Sequence, residues 1–495
     1  MSSVHRTRVA ILGSGWGAVQ LLKNLSPSKY AITVVSPRNH MLFTPMLPSA
    51  SVGTVNPRSI CEPIRPLCAA VGARYYEAFA EQILPEQQIV RCRSLRDEEF
   101  PLRFDRCVVA VGYRANDFNL PGVKDHALFM KETKDATRFR EHLLTKLEEA
   151  SYAHALGDNM EARIRQLCSV VVVGGGPTGV ELAAEVTDFV SSDIKRLYPH
   201  LFQYISVHLV EGMPTLLNHL QDAGLREYAV SHISKTQGVK LHLQEFVSEA
   251  TGSELRLKSG RVIPYGTLVW CAGVKPVPVI QALDLAKTAN GAQLLTDANM
   301  RVKGQPQIFA IGDCAQIEGN RLPQTAQVAK QQAQFLAGEL NAGEAFRSPF
   351  VFKSLGSMAY LGSNRGLIAD SPLVRQIRGR LAWLGWRSAY WGMQLTMRSR
   401  LAIASDWLST SLFGRPVVRF GQCSVEAEQP PRAARERQVL ATGMPAVNGS
   451  HAEQVADPWM SAPQVGVTPS LELATLAAMA NGVPASMSRP KSHLP

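Results

Sequence analysis

One stretch limits what this chain can fold into more than any other: Ser169–Glu185, SVVVVGGGPTGVELAAE. The β-formers Ser169–Val173 run straight into Gly174-Gly175-Gly176-Pro177-Thr178-Gly179, then into Val180–Glu185. That order reads as a buried strand, a glycine turn and a helix start. The spacing Gly174-x-Gly176-x-x-Gly179 is the dinucleotide fingerprint. Gly174 allows the tight turn, Gly176 lets backbone approach a pyrophosphate, and Gly179 lets the helix pack close on the strand. The free N–H groups of the turn and the helix dipole then hold phosphate. The next strand, Ile205–Val210, ends in Glu211, where a carboxylate can take the ribose hydroxyls of NAD. The gap from Gly174 to Glu211 exceeds the roughly 20 residues expected. A helix extended to about Tyr198 absorbs the excess. A glycine turn without a ligand is the competing reading, and the flanking strand, helix and Glu211 weaken it.

The same signal occurs at the start of the chain. Val9–Leu12 leads into Gly13-Ser14-Gly15-Trp16-Gly17-Ala18, the G-x-G-x-x-G/A form, and a helix to about Leu25. Here the following strand, Ala31–Val35, ends at Ser36, and the next acid is Glu62. The ribose contact of this site therefore falls to Ser36 or to backbone. Asn39–Val55 is apolar and broken by Pro45 and Pro48, so it is a loop near the cofactor crevice. Asp105–Gly112 and Thr267–Val274 are strands ending in small residues, Asn119–Val123 is a crossing, and Lys131–Tyr152 is charged, with helical periodicity, and reads as solvated. A third signal is Gln307–Ala315, QIFAIGDCA: a strand presenting Gly312-Asp313. An Asp there can bond a flavin ribityl hydroxyl, while Gly312 lets backbone reach the pyrophosphate. Two glycine loops with this element downstream of both imply nesting. The first dinucleotide domain is interrupted by the second and resumes near Thr296.

A chain of 495 residues needs two or three domains. The net charge of +11 favours anionic surfaces or ligands. The eight cysteines are scattered with no C-x-x-C pair, which fits reduced, structural thiols and gives no metal site. No run of about 18 apolar residues is long enough to span a membrane. Arg6 and Arg8 permit a very short import signal or an ordinary start.

Six segments in the same order carry a family resemblance. They are GSGWGA, SPRNHMLFTPMLPSASVGTV, GGGPTGVELAAE, IFAIGDCA, QTAQVAKQ and WRSAYWGMQLTMRSRLAIASDWLSTSLFGRP, covering roughly residues 8–420. The chain resembles the type II NADH:quinone oxidoreductases, the single-chain, non-pumping alternative NADH dehydrogenases of mitochondria and bacteria. The resemblance implies an α/β protein of two nested Rossmann-like domains with a C-terminal membrane-binding region. It implies FAD (FMN being the alternative) at Gly13, Ser14, Gly15, Trp16, Gly17, Ser36, Arg38, Thr44, Gly112, Gly312, Asp313, Ala326 and Gln327. It implies NADH at Gly174, Gly176, Pro177, Thr178, Gly179, Glu181, Glu211 and Gly273. NADH would give a hydride to the flavin, which passes two electrons to a ubiquinone-type quinone; the hard chemistry is the cofactors' own. Glu181 matches the motif glutamate near the nicotinamide, though an ordinary first-turn helix acid reads equally well. Gln324, Gln327 and Gln331 share one helix face. The resemblance puts Gln327 and Gln331 at the quinone ring, where amides donate without adding charge; by periodicity alone they are a solvated face. Departures occur at Tyr113, Lys275 and Gln332. The expected setting is peripheral on the mitochondrial inner membrane, with no nucleic acid and with a homodimer compatible.

The domains are drawn as 1–118 with 296–349 for FAD, 119–295 for NADH, 350–420 for membrane anchoring and 421–495 as a disordered tail. Phe350–Gly366 reads as an antiparallel strand pair. Arg375–Arg419 holds eight Arg, four Trp and one acid, Asp406. Trp383, Trp386, Tyr390, Met393, Met397, Leu401, Ala404 and Leu408 step by 3 or 4 along one apolar stripe flanked by Arg380, Arg387 and Arg398, with Gly385 and Gly392 allowing two shorter helices. That is the pattern of an interfacial anchor over about 375–415; a helix packed on the flavin domain is the competing view. The tail carries nine prolines and one aromatic, Trp459, with a transient helix at Leu471–Ala480. Three other readings share parts of this pattern. A sulfide:quinone oxidoreductase would need paired cysteines, for which Cys168 and Cys314 are available. A disulfide reductase would need a close pair in the first domain. A flavin-bearing scaffold would keep both folds without turnover.

Overall fold

The computed structural model describes residues 6–344, 346, 348–371 and 376–419. The expected tail and its helix at Leu471–Ala480 lie outside these residues, as does Arg375. Two parallel sheets organise the chain. In the first, the strands run in the order Ile308–Ala310, Arg106–Val109, Thr7–Leu12, Tyr30–Val35, Arg74–Tyr76. In the second, they run Leu128–Phe129, Thr267–Trp270, Ser169–Val173, Ser206–Glu211, Lys240–Leu243. Strand Ile308–Ala310 closes the first sheet after the whole second sheet has been made, which is the nesting read from Gly312-Asp313.

Both sheets are buried on both faces, so their strands are runs of Val, Ile and Leu rather than alternations. In the first half, Val9, Ile11, Ile32 and Val34 face helices Trp16–Asn24 and Ala326–Asn341. Ala10, Leu12, Val35 and Val109 face the antiparallel meander Ala78–Leu84, Ile89–Ser94, Glu99–Arg103. The second half repeats the plan. Val170, Val172 and Leu209 pack on helices Thr133–Ala155 and Pro177–Phe189, while Val171, Val173 and Val210 pack under the meander Val247–Ala250, Glu254–Leu257, Val262–Pro264. Helix Thr133–Ala155 is therefore not simply solvated. Phe139, Leu143, Leu144 and Leu147 bury one face in the core, because its charges leave an apolar stripe between them. The helix after the second glycine loop continues as a π-helical turn, Val190–Ile194, and ends at Leu197, which takes up the long gap to Glu211.

The chain crosses between the halves at Tyr113–Ala115 and returns at Val274–Pro276; these strands pair antiparallel, and Lys275 Nζ reaches Asp117 Oδ1 at 2.7 Å. Arg8 lies in the first strand and forms an ion pair with Asp105 at 2.6 Å, so its place is structural. After residue 350 the expected strand pair starts later, at Ser357–Gly362 with Arg365–Ala369, and gains a third strand, Gln376–Gly379. Two helices follow, Arg380–Gly392 and Met397–Phe413. The break falls at Thr396, whose hydroxyl accepts the Ser399 N–H and so starts a new helix. The apolar stripe divides there. Trp386 and Tyr390 are buried in the core and Trp383 and Met393 pack against it, whereas Met397, Leu401, Ala404 and Leu408 are exposed. Arg387 does not flank a membrane edge: its guanidinium lies 4.9 Å from the Trp383 ring centre and 4.2 Å from that of Trp407, joining the two helices.

Candidate active site

The two glycine loops are built alike. The N–H of Gly13 donates to the Val35 carbonyl at 2.8 Å, and that of Gly174 to the Val210 carbonyl at 2.8 Å. Both glycines have φ above +110°, which a side chain would strain. The last glycines serve packing: Gly17 lies against Ile311, and a Cβ on Gly179 would overlap the Gly174 carbonyl oxygen. The middle glycines are different. Gly15 and Gly176 have ordinary extended φ, −84° and −74°. Among the described residues, a Cβ on Gly176 would meet no atom within 4 Å, and one on Gly15 only Arg38 Nη2 at 3.7 Å. Nothing in the fold itself excludes a side chain there, so each leaves room for a group that approaches the backbone. A Cβ on Gly112 also meets no atom of the described residues within 4 Å, but there the φ of +67° itself favours glycine.

Opposite the first loop, Asp313 is largely buried and its Oδ1 has no hydrogen-bond partner among the described residues. Burial pushes its carboxyl up, while Lys131 pulls it down. An unmet buried acceptor calls for a donor, and a ribityl or ribose hydroxyl supplies one. Gly312, at φ +71°, donates its N–H to Gln332 Oε1 at 2.7 Å, which pins the turn beside Asp313. Ser36 donates to Ser14 Oγ at 3.0 Å, and Arg38 reaches the same oxygen while pairing with Glu132 at 2.9 Å. Trp16 donates from its indole to Thr44 Oγ1 at 3.3 Å. These residues suit a flavin cofactor: open backbone for a phosphate, an orphan carboxylate for hydroxyls and further polar side chains beside them. Ala326 opens the helix that Thr325 caps, and Gln324 Nε2 donates to the Asp313 carbonyl.

At the second loop Pro177 starts the helix and Thr178 follows it. Glu211 accepts from the N–H of Gly175 and from that of Met213 at 2.8 Å, so its carboxylate is held beside the loop. Gly273 has φ +70°, and the Phe118 ring fills the space a side chain would take.

Glu181 is not a solvated helix-start acid. It is 5% exposed, and Oε1 accepts from the Tyr360 N–H at 3.1 Å and the Trp386 indole N–H at 3.3 Å. Burial pushes its carboxyl up to about 8. Two further acids on the same helix face were not singled out in the sequence. Glu185 accepts from Ser49 at 2.6 Å and Thr54 at 2.7 Å and faces Arg415 at 3.5 Å. Asp188 accepts from the Tyr360 hydroxyl and from the Ser363 N–H at 2.9 Å, and burial pushes it up to about 6. Acids at i, i+4 and i+7 within an apolar helix were the available signal. An aromatic series runs from the first loop to these acids: Trp16, Phe43, Tyr390, Trp386 and Tyr360, with successive ring centres 5.2, 5.7, 4.8 and 5.5 Å apart.

The two glutamines form backbone clamps. Gln327 donates to the Gly356 carbonyl at 2.7 Å and accepts the Leu355 N–H at 3.0 Å; Gln331 donates to the Lys353 carbonyl at 2.8 Å and accepts its N–H at 3.0 Å. They hold extended residues 353–356 against the helix. Cys168 and Cys314 sit in different hydrophobic cores, so they do not form the pair that sulfide chemistry would need.

The model of the pyridine nucleotide-disulphide oxidoreductase family matches residues 7–333, and that of the NDH2 C-terminal domain residues 354–416. A protein named "Probable NADH dehydrogenase" from Dictyostelium discoideum is 34% identical over 84% of this chain and 92% of its own. The "Internal alternative NAD(P)H-ubiquinone oxidoreductase A1, mitochondrial" of Arabidopsis thaliana is 36% identical over 84% and 86%. The solved structure of NDH2 from Plasmodium falciparum in complex with NADH aligns with a TM-score of 0.78 at 26% identity, covering 84% of this chain and all of that one. With nucleotide cradles in both halves and both family models matched in order, the chain belongs to the type II NADH:quinone oxidoreductases.

Proposed function

We propose that this protein is a single-chain NADH:ubiquinone oxidoreductase that holds FAD in its first half, takes NADH in its second and meets quinone beneath its C-terminal region, without pumping protons. The observation that carries this is the pair of open middle glycines, Gly15 and Gly176, each in a loop whose other glycines are fixed by the fold. When bound, a flavin supplies the conversion of two-electron nicotinamide chemistry into quinone reduction. The chain's own residues do the rest. Glu211 offers a carboxylate to ribose hydroxyls. Glu181, whose carboxyl burial pushes up to about 8, is placed to hold a proton beside the C-terminal region. FAD is favoured over FMN because Ser36 and Arg38 extend the polar cradle past the pyrophosphate position, where a mononucleotide would leave them unused.

The domain assignment follows: 1–118 with 296–349 for FAD, 119–295 for NADH and 350–420 for membrane attachment. No helix among the described residues is long and apolar enough to cross a membrane. Leu401, Leu408, Leu412 and Phe413 are between 62% and 79% exposed on one terminal helix, which supports peripheral attachment. The mitochondrial names of the relatives support an inner-membrane setting. The test is a two-step stopped-flow experiment. NADH alone should bleach the flavin, and a soluble ubiquinone analogue should restore its colour. Bleaching that oxygen reverses and quinone does not would defeat the quinone assignment.

A further inference from the structure

A groove of about 500 Å³ opens where the first domain meets the terminal helix. Arg58, Arg65 and Arg398 line it with His40 and Cys61, and Glu77 is its one carboxylate among the described residues. None of these residues belongs to the flavin or NADH cradles. The three guanidinium groups are exposed and form no ion pair among the described residues. Arg65 only lies over the Tyr75 ring, at 5.0 Å. By contrast, Arg8, Arg38 and Arg415 all face carboxylates. Deeper in the groove, Thr133 Oγ1 lies 3.3 Å from both His40 Nε2 and Cys61 Sγ, so neutral polar groups lie beneath the cations. Three unpaired cations converge on a concave site of the size that holds small ligands, roughly 300–1,000 Å³. Such a site fits an anion with several acceptor oxygens.

The position of Arg398 selects the source of that anion. Arg398 follows Met397 and lies one turn before Leu401, both exposed on the apolar face of helix Met397–Phe413. A molecule with its phosphate among the arginines can lay an apolar chain on that face. We propose that the groove binds the phosphate of an anionic phospholipid, whose acyl chains continue onto the exposed leucines; this rests on the membrane reading above. A free phosphate would use the arginines and gain nothing from the leucines.

Cys61 provides a readout inside the groove. The full-length, flavin-loaded protein is treated with a maleimide, and modification of the Cys61 peptide is followed by mass spectrometry. Dihexanoyl-phosphatidylglycerol, kept monomeric so that no membrane shields the protein, should slow the reaction about tenfold when present at ten times its Kd. Dihexanoyl-phosphatidylcholine and inorganic phosphate at equal concentration should protect far less. The surface variant R58Q/R65Q/R398Q should lose the protection. Equal protection by inorganic phosphate or by phosphatidylcholine, or protection that survives in the variant, would overturn the proposal. Vesicle flotation of the unmodified protein runs in parallel. Flotation without Cys61 protection sinks the groove alone, whereas absence of flotation removes the membrane reading and the groove with it.

Discussion

The backbone N–H of Tyr360 donates to Glu181 Oε1 at 3.1 Å, joining residues 179 positions apart in the chain. The contact places the C-terminal region over the nucleotide-loop helix and shuts water away from a carboxyl. Its pH consequence has a definite sign. Burial raises the folded value from 4.5 to about 8, so the folded protein binds this proton more tightly than the unfolded chain does. The stabilisation is complete below about pH 4.5, is lost as pH rises through about 8, and changes no further above that, a swing of about a few kcal/mol. Glu181→Gln keeps an acceptor for Tyr360 and Trp386 and cannot ionise. At pH 9 the variant should melt above the wild type, and at pH 5 the two should nearly coincide. Parallel Tm profiles across that range would show that Glu181 ionises freely. If it supplies a proton to quinone, the wild-type reoxidation rate should also fall through about pH 8, and the variant's slower rate should be flat.

The middle and last glycines of the second loop should separate cleanly. The Cβ of Gly176→Val meets no atom of the described residues within 4 Å and the φ is an allowed one, so the protein should fold with its flavin. Its KM for NADH should rise by about two orders of magnitude, since several kcal/mol of phosphate hydrogen bonding is lost. Gly179→Ala drives a methyl into the Gly174 carbonyl and should destabilise the protein by about 1–3 kcal/mol. A Gly176→Val protein with unchanged KM would remove the pyrophosphate from this loop.

Glu211 is held by two backbone N–H groups beside the loop, so it cannot swing away from a 2′-phosphate. NADH should be preferred to NADPH by roughly a hundredfold in kcat/KM, about 2–3 kcal/mol of repulsion and lost hydrogen bonding. Glu211→Gln should narrow the ratio by at least about tenfold. Equal use of both cofactors by the wild type would contradict the assignment.

Both glycine loops could be read directly because their chemistry is local: the turn, the strand before it and the helix after it are contiguous, and each glycine serves either the turn and its packing or the approach of a bound group. The nesting could be read for the same reason, since Gly312-Asp313 carries its own signal. What the sequence concealed depends on distant partners. By its place in the helix Glu181 read equally well as a helix-start acid, because Tyr360 and Trp386, which bury it, come from another region. By periodicity alone Gln327 and Gln331 were a polar face and by resemblance quinone ligands; neither reading shows the clamp, because nothing in QTAQVAKQ announces residues 353–356. The apolar stripe appeared continuous because periodicity cannot tell a leucine facing protein from one facing outward. Only the Thr396 cap divides them.

Gln327 and Gln331 clamp residues 353–356, and this changes what their removal should do. Gln327→Ala leaves the exposed Leu355 N–H to water and the part-buried Gly356 carbonyl without its donor, costing about 1 kcal/mol locally. The segment leading into the C-terminal region should loosen, which hydrogen exchange at residues 353–356 would detect. Quinone reduction should slow while flavin bleaching by NADH stays near the wild-type rate. Unchanged exchange with slowed quinone reduction would mean that the amide turns to the quinone during turnover and that the clamp is incidental.

Membrane attachment cannot be tested by cutting the chain before the terminal helices. That cut would remove Trp386 from Glu181 and Arg415 from Glu185 and Asp193, exposing buried acids as well as deleting an anchor. Point substitutions on the outer face avoid this. Leu408, Leu412 and Phe413 are at least 62% exposed, so replacing all three by Ser should leave folding and flavin content intact. Each would bury about 1–2 kcal/mol of apolar surface at an acyl boundary. Their joint loss should weaken vesicle binding by at least a hundredfold, since each 1.4 kcal/mol is a factor of ten. Arg380 and Arg398, also exposed, add about 1 kcal/mol each on anionic lipid, screened beyond about 10 Å at 0.1 M salt. The wild type should therefore lose part of its binding in high salt and keep an apolar remainder, while the triple Ser variant should lose nearly all of it. A variant that still floats with vesicles in high salt would place the anchor elsewhere on the molecule.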